Sequence, residues 1–339
     1  MLALAFAAAL SQPLWLTIEG EQGPGRGKHI VLLAGDEEYR SEEALPQLAR
    51  ILAKRHGFKC TVLFSVNKEG MVDPEERGKQ PGLDHLQSAD LCVMMLRFRS
   101  WTPSDMKHFD DYFRSGKPII ALRTSTHAFD LPADHPYEKY GWRSKTWVGG
   151  FGKTILGETW VSHWGNHGSQ ATRGVISAPK HPIMSGVSGV FGTTDVYEAA
   201  PPGDAQVLMR GEVVEGMNPT DPMAKALKKK ASGKEQELND PMMPIVWLRV
   251  LGSEQKQLVL TCTMGAATDF SNEGLRRMLV NASYFLTGLQ SKIQPYNNVD
   301  LVGSYNPSPF GFGGFIKGVR PDSRTIRSPL PFDHPSSPK

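Results

Sequence analysis

Cysteine is scarce in this sequence, and so is net charge. The three cysteines among 339 residues, Cys60, Cys92 and Cys262, each lie within an apolar run, which is typical of small buried side chains and not of a disulfide framework or a CxxC metal site. A net charge of +3, without any basic stripe that carries interleaved aromatic residues, does not indicate binding to DNA or RNA. We therefore expect no nucleic-acid partner.

An apolar run long enough to cross a membrane is also missing. Residues Leu2–Leu10 are apolar, but the run is too short to span a bilayer, so we expect no membrane span. The Ser-Gln-Pro sequence that follows resembles the end of a secretory signal, although a basic n-region is missing. We interpret residues 1–27 as a signal-like segment with a linker, whose true start lies upstream, and we expect export to the periplasm or the extracellular space. The alternative is a buried N-terminal segment in a cytoplasmic protein.

What the sequence does contain, from residue 28 onward, is an alternation of apolar strands and amphipathic helices. Between the strands, Ser41 is positioned to cap one helix, with Glu42 and Glu43 in its first turn, and Thr102-Pro103-Ser104-Asp105 has the form of a helix start. Near-continuous apolar strands are typical of a parallel sheet that is covered on both faces. We predict a doubly wound, mostly parallel α/β sheet of the flavodoxin-like kind. Its first four strands are expected at His29–Ala34, Phe58–Val66, Leu91–Leu96 and Pro118–Leu122.

The rest of the chain is less regular. The pattern loosens between residues 131 and 211, and then two further strand-like runs and a final helix follow, at Pro244–Val250, Gln257–Cys262 and Asn272–Gly288. We assign residues 28–290 to a single α/β domain. Residues 291–339 are rich in proline, glycine and aromatic residues, and we predict an irregular strap that runs along the domain.

Polar residues directly follow three of the predicted strands. They are Asp36, Glu37 and Tyr39 after the first strand, Arg97 after the third, and Arg123 and His127 after the fourth. Ligands in open α/β sheets bind just beyond the carboxyl ends of the strands, so these are candidate ligand-binding residues. The alternative is that the arginines only neutralise the acids in salt bridges. In either case we expect a charged crevice at this edge of the sheet.

Two histidines lie four residues apart in His163-Trp-Gly-Asn-His167. Three roles are open for them: acid–base catalysis or hydrogen bonding to a sugar, metal binding, or a purely structural role. Gly165 favours a loop over a helix, and a metal site would need a third ligand from a distant carboxylate such as Asp36 or Glu37. No cofactor is firmly predicted, and a divalent metal is the alternative.

Several short motifs follow one another along the chain: the acidic end of the first strand, Pro118–Thr126, His163–His167, His181–Gly186, Asp195–Tyr197, Pro244–Trp247 and Thr263–Ala267. Their order resembles that of the ThuA-like (trehalose utilisation) family, in an exported branch, whose fold is similar to that of class I glutamine amidotransferases. The sequence has Arg123 where many relatives carry a histidine, and Gly265-Ala266 where many carry a Gly-His pair. The turn after the fourth strand also lacks the cysteine that the amidotransferases require.

The resemblance implies a role in carbohydrate metabolism, with oxidised (3-keto) glycosides as the substrate class. The chemistry that we assign is proton abstraction beside the ketone, which gives isomerisation or elimination. The alternatives are a non-catalytic sugar-binding or scaffold module and a metal-assisted hydrolase, and a homo-oligomer stays open. The expected roles are His163 and His167 as acid and base, Asp36 and Glu37 as hydroxyl binders or second base, Arg97 and Arg123 as oxyanion holders, and Tyr39, His127, Trp164 and Asn166 as further substrate-binding residues.

Overall fold

The computed structural model describes residues 13–254 and 256–322. The helices are α1 (Ser41–His56), α2 (Pro103–Arg114) and α3 (Glu273–Leu286). The strands are β1 (Trp15–Ile18), β2 (His29–Gly35), β3 (Lys59–Phe64), β4 (Leu91–Leu96), β5 (Ile119–Leu122), β6 (Thr172–Ile176), β7 (Phe191–Gly192), β8 (Gln206–Val213), β9 (Leu227–Lys229), β10 (Glu235–Glu237), β11 (Met243–Leu251) and β12 (Gln257–Cys262). None of the described helices combines the length and the apolar character needed to cross a bilayer.

One large sheet of ten strands organises the molecule, in the order β1-β3-β2-β4-β5-β12-β11-β8-β6-β7. Strands β3, β2, β4, β5 and β12 pair in parallel. The strands on either side of them pair antiparallel. The α/β character that the sequence predicts is therefore confirmed, while the sheet as a whole is mixed. Strands β9 and β10 form a separate pair within a polar part of the chain.

Helices pack against both faces of the parallel strands. All seven residues of β2 are buried, and alternate residues point to opposite faces of a strand. Ile30 and Leu32 belong to the core that includes the apolar residues of α1 and α3. Val31 and Leu33 belong to a second core, which includes those of α2. Each buried side chain of this size contributes about 1.5–3 kcal/mol to folding, so the central strands fix the position of their polar ends.

The two early helices begin in different ways. Helix α2 starts as its sequence predicts, because the Thr102 hydroxyl accepts a hydrogen bond from the Asp105 amide at 3.2 Å. Helix α1 does not use Ser41 as its cap: the residue before the helix is Arg40, in a left-handed conformation without a side-chain cap. The Ser41 hydroxyl instead accepts from the Asp36 amide at 2.9 Å, so it closes the loop between β2 and α1.

After residue 292 the described part of the chain has no helix or strand, and it runs back over the domain. We call residues 293–322 the strap. Val319 accepts a hydrogen bond from the Val72 amide at 2.8 Å, and Gly311 donates one to the Glu38 carbonyl at 2.7 Å. The strap therefore reaches the loop at the carboxyl end of β2.

Candidate functional site

Asp36 organises the loop between β2 and α1. Its carboxylate is fully buried and accepts hydrogen bonds from the amides of Glu38 at 2.7 Å and Tyr39 at 3.0 Å, and from the Thr124 hydroxyl. Burial, together with the negative charge of Glu37, raises the pKa of Asp36. With its oxygens engaged inside the protein, Asp36 holds the loop in shape and does not reach a ligand, contrary to the role that the sequence suggested.

Arg123 is also buried rather than exposed to a ligand. Its guanidinium donates to the Asp195 carboxylate at 2.7 Å, to the Thr263 carbonyl at 2.9 Å and to the Tyr39 hydroxyl at 3.0 Å. The rings of Tyr39 and Tyr197 lie 4.4 Å and 3.7 Å from its central carbon. The prediction that Arg123 holds an oxyanion is therefore corrected, because both terminal nitrogens donate within the protein and none of its surface is exposed.

Backbone strain is concentrated at this edge of the sheet. Among the residues that the structure describes, the non-glycine residues with positive φ are Arg40 at 60°, Phe98 at 51° and Arg123 at 43°. Each lies shortly after one of the parallel strands β2, β4 and β5. Such conformations cost about 1–3 kcal/mol each and cluster at functional sites. Arg123 directly follows β5, so this strand ends in a sharp turn whose first residue is strained.

Asp195 connects Arg123 to the two-histidine loop. One carboxylate oxygen accepts from His163 Nδ1 at 2.8 Å, and the other lies 3.1 Å from His167 Nδ1 and 2.7 Å from the Arg123 guanidinium. Burial opposes ionisation of this side chain, but Arg123 and the two imidazoles hold the pKa of Asp195 well below its usual range. Asp195 is therefore a buried carboxylate that can only accept.

The two imidazoles face the solvent beyond Asp195. Their ring centres are 4.6 Å apart, and the side chains of His163 and His167 are 34% and 35% exposed. Because an ionised carboxylate accepts at Nδ1, each neutral ring carries its proton there and leaves Nε2 as a free base. The hydrogen bond to Asp195 raises the pKa of His167, against some loss of solvation.

A second carboxyl group, that of Glu38, lies near His167 on the side away from Asp195. Its Oε1 lies 3.4 Å from His167 Nε2 and its Oε2 lies 3.6 Å from Arg97 Nε. Burial and the proximity of Asp36 raise the pKa of Glu38, although Arg97 opposes this shift. A carboxyl that retains a proton more readily than usual is suited to exchange one with His167.

Glu37 has a different environment. It accepts from Arg97 at 2.5 Å and from Arg99 at 3.1 Å, and Arg77 lies 3.4 Å away. Three guanidinium groups thus surround one buried carboxylate, which matches the alternative that the sequence left open, of acids neutralised by arginines. Of the three arginines, Arg97 is the one that also contacts Glu38, and its side chain is 17% exposed.

Three of the remaining residues predicted to bind substrate, Tyr39, His127 and Trp164, are buried, so they offer a ligand no open surface. His127 is buried, near the ring of Trp160 at 5.8 Å, and burial holds its pKa well below the usual value. Trp164 is fully buried and donates to the Leu238 carbonyl at 2.8 Å, so it belongs to the core and not to a ligand pocket. Asn166 is exposed, beside the histidines along the loop.

The sequence did not single out Asp195 or Glu38 as site residues. Asp195 occurs in one of the family-like motifs, but it follows a two-residue strand in an irregular part of the chain, where no periodicity indicates which way a side chain points. Glu38 lies within the acidic stretch after β2, and only the turn made by Asp36 determines which of the acids faces the histidines.

A metal ion would find one suitable group of ligands among the described residues. His163, His167 and Asp195 offer ligand atoms that all lie within 4.8 Å of one another, and two imidazoles with one carboxylate suit Zn²⁺ or a similar cation. The carboxylate is Asp195, not Asp36 or Glu37 as the sequence suggested. The Arg123 guanidinium on the same carboxylate disfavours a second cation there.

A cavity of about 700 Å³ lies elsewhere and contains none of these groups. It is lined by residues of the irregular segments after β4 and β5, such as Asp130, Glu138 and Lys145. The histidine pair is instead an open site at the carboxyl edge of the parallel strands.

Fold and site together define an α/β protein with a histidine pair joined by a buried carboxylate. No family model and no curated protein matches the chain. A solved structure from Parabacteroides merdae, described as a ThuA-like protein, is 15% identical with a TM-score of 0.48, over 85% of this chain and 95% of that one. A cytoplasmic protein of Salmonella typhimurium is 13% identical with a TM-score of 0.40, over 76% of this chain and 98% of that one.

The first of these proteins carries the family name that the sequence motifs indicated. Proteins of one fold often differ in function, so the chemistry of this chain has to follow from its own residues.

Proposed function

We propose that this chain acts on keto-glycosides or related sugar derivatives by acid–base proton transfer, with His163 and His167 as the catalytic pair. The observation that carries the proposal is that one buried carboxylate, Asp195, binds both partly exposed rings at Nδ1, so that the Nε2 atoms remain for other partners. A C–H bond beside a ketone is acidic enough for an imidazole base when the enolate oxygen is stabilised. Isomerisation or elimination would follow.

The environments of the two rings support different roles. His167 faces Glu38 and has a raised pKa, so we assign it the proton and the task of stabilising the enolate oxygen. His163 Nε2 meets no carboxylate within residues 13–254 and 256–322, so we assign it the role of base. Pairs of titratable groups whose environments differ in this way are typical of acid–base catalysis. Arg97, which is partly exposed and lies 3.6 Å from Glu38, is the arginine that we assign to substrate binding.

The test is proton exchange and turnover on a 3-keto-disaccharide in D₂O. We expect the wild type to incorporate deuterium at the carbon beside the ketone, and His163→Ala and His167→Ala to lose about 10²–10⁴-fold in rate. His108→Ala, on helix α2, serves as the matched control and should behave as the wild type. If the wild type binds the sugar but exchanges and converts nothing, the enzyme proposal fails and a non-catalytic sugar-binding module is the better description.

A metal-assisted hydrolase is the second candidate, because His163, His167 and Asp195 form a ligand group. It predicts stoichiometric Zn or Mn in protein purified without chelator, and loss of activity on chelation that added metal restores. Activity that persists in metal-free protein would remove this candidate.

We also infer a flavodoxin-like winding for the parallel half of the sheet, which the order β3-β2-β4-β5-β12 supports.

Export remains a proposal from the apolar run near the start of the sequence, and residues 1–12 lie outside the described part of the chain. Cell fractionation with N-terminal sequencing of the mature protein tests it: an intact N-terminus in the cytoplasm would contradict export.

A further inference from the structure

Part of the strap is fixed against the candidate site by several hydrogen bonds. The amide and hydroxyl of Ser308 donate to the two carboxylate oxygens of Glu43 at 2.7 Å and 2.5 Å. Gly311 donates to the Glu38 carbonyl at 2.7 Å and accepts from the Arg40 guanidinium at 2.5 Å. Residues 308–312 are therefore held on the loop that presents Glu38 to the histidines.

This attachment places the aromatic rings of Phe310 and Phe312 next to residues of the candidate site. Phe310 lies 5.4 Å from the ring of His167 and 5.5 Å from that of Tyr39. The guanidinium of Arg97 lies over the ring of Phe312 at 4.9 Å. Phe312 is nevertheless 62% exposed, although its ring is covered by Arg97 on one side. Single exposed apolar residues are common and need no function, but this one contacts Arg97, the arginine that we assign to substrate binding.

A third ring lies at the other end of the pair. Trp160 is 5.7 Å from His163, whereas Phe310 contacts His167. Aromatic rings thus flank the two histidines, and the strap extends this surface by one further ring at Phe312. Rings that contact His163, His167 and Arg97 offer stacking positions to more than one sugar ring, since aromatic faces stack on the apolar C–H faces of pyranoses.

We propose that Phe310 and Phe312 form a subsite for the second sugar ring of a two-ring glycoside, while the ring that carries the ketone lies over His163 and His167. The proposal rests on the function inferred above and adds the size of the substrate. Phe312 then acts on specificity and not on the chemical step, because it contacts Arg97 and neither histidine.

Kinetics on two substrates test the subsite. The probes are 3-keto-trehalose, with two rings, and methyl 3-keto-glucoside, with one. We expect Phe312→Ala to raise KM for the two-ring substrate about three- to tenfold with kcat unchanged, and to leave KM for the one-ring substrate as in the wild type. Phe312→Trp should retain the wild-type KM. Tyr296→Ala, which removes another exposed aromatic residue of the strap (78% exposed), is the matched control.

Binding of unoxidised trehalose, followed by saturation-transfer NMR, separates this proposal from the catalytic one. If trehalose binds, Phe312→Ala weakens its binding, and the wild type turns over neither keto-sugar, the subsite stands and the catalytic function fails. If the wild type is active and Phe312→Ala leaves both KM values unchanged, or raises them equally, the subsite is overturned. If the wild type neither binds nor converts these sugars, both proposals fail.

Discussion

At the scale of single residues, the site depends on a buried ion pair. The side chains of Arg123 and Asp195 are both fully buried and 2.7 Å apart. Removing one partner of such a pair leaves an unpaired charge in the interior, which is far more unfavourable than losing a surface pair. The Asp195 carboxylate also orients both imidazoles. One residue therefore affects both the stability of the fold and the position of the protons on His163 and His167.

We therefore expect Asp195→Asn to destabilise the fold by about 3–5 kcal/mol and to lower the pKa of His167, which loses its anionic partner. Urea unfolding measures the first effect and NMR titration of the histidines the second. As a control, Asp111→Asn removes an exposed pair with Lys107 and should change the free energy of unfolding by less than about 1 kcal/mol.

The destabilisation caused by Asp195→Asn should depend on pH in a definite direction. The pKa of His167 is higher in the folded protein than the ordinary value of 6.5, so its hydrogen bond to Asp195 stabilises the fold fully below pH 6.5. That stabilisation disappears as pH rises through the folded pKa. Asp195→Asn should consequently be more destabilising at pH 6 than at pH 9, and an equal effect at both values would contradict the assigned bond.

At the scale of elements, helix α1 differs from the sequence-based expectation because its first turn is buried and not exposed to solvent. The sequence places Glu42 and Glu43 in its first turn, where acids normally face water and the helix dipole. The strap covers this turn instead, and both residues are buried. Ser308 donates hydrogen bonds to the carboxylate of Glu43. The carboxylate of Glu42, in contrast, accepts no hydrogen bond from any other residue that the structure describes.

Burial and the nearby charge of Glu43 raise the pKa of Glu42 to about 8. Because the ordinary value is 4.5, the folded state prefers the protonated form, and ionisation destabilises it increasingly from pH 4.5 up to pH 8. Glu42→Gln should stabilise the protein on the order of 4 kcal/mol above pH 8 and hardly at all at pH 4. Urea unfolding at both pH values measures this.

Glu43→Gln provides the contrast at the neighbouring position. It weakens two bonds to Ser308 and should destabilise at neutral pH. If Glu42→Gln were destabilising at pH 8, the burial of an unpaired carboxyl in this helix would be refuted.

At the scale of the whole molecule, the strap joins parts of the chain that are distant in sequence. It binds the loop after β2, helix α1 through Ser308 and Glu43, and the segment at Val72. Its order is thus coupled to that of the candidate site, and we expect the site to loosen when the strap is removed.

A chain that ends at residue 300 should keep its sheet but unfold about 5 °C or more below a chain that ends at residue 322, given the hydrogen bonds that it loses. Hydrogen exchange should rise for the amides of residues 36–43. The chain ending at residue 322 retains every contact described above and is the matched control. Unchanged exchange in residues 36–43 would show that the strap does not order the loop.

The sequence by itself determined the parallel strands, the start of helix α2 and the polar residues at the strand ends, because apolar runs and capping residues act through neighbours along the chain. It also identified His163 and His167 as a candidate pair. These features depend on local periodicity, which one sequence displays.

Only the tertiary structure decided which polar groups meet. It buried Asp36, Arg123 and Trp164, placed Asp195 between the two histidines, and turned Glu38 rather than Glu37 towards them. The physical reason is that a buried charge needs a partner, and the partner comes from segments such as the one at residue 195, which are brought together by sheet pairing and strap packing and not by spacing along the chain.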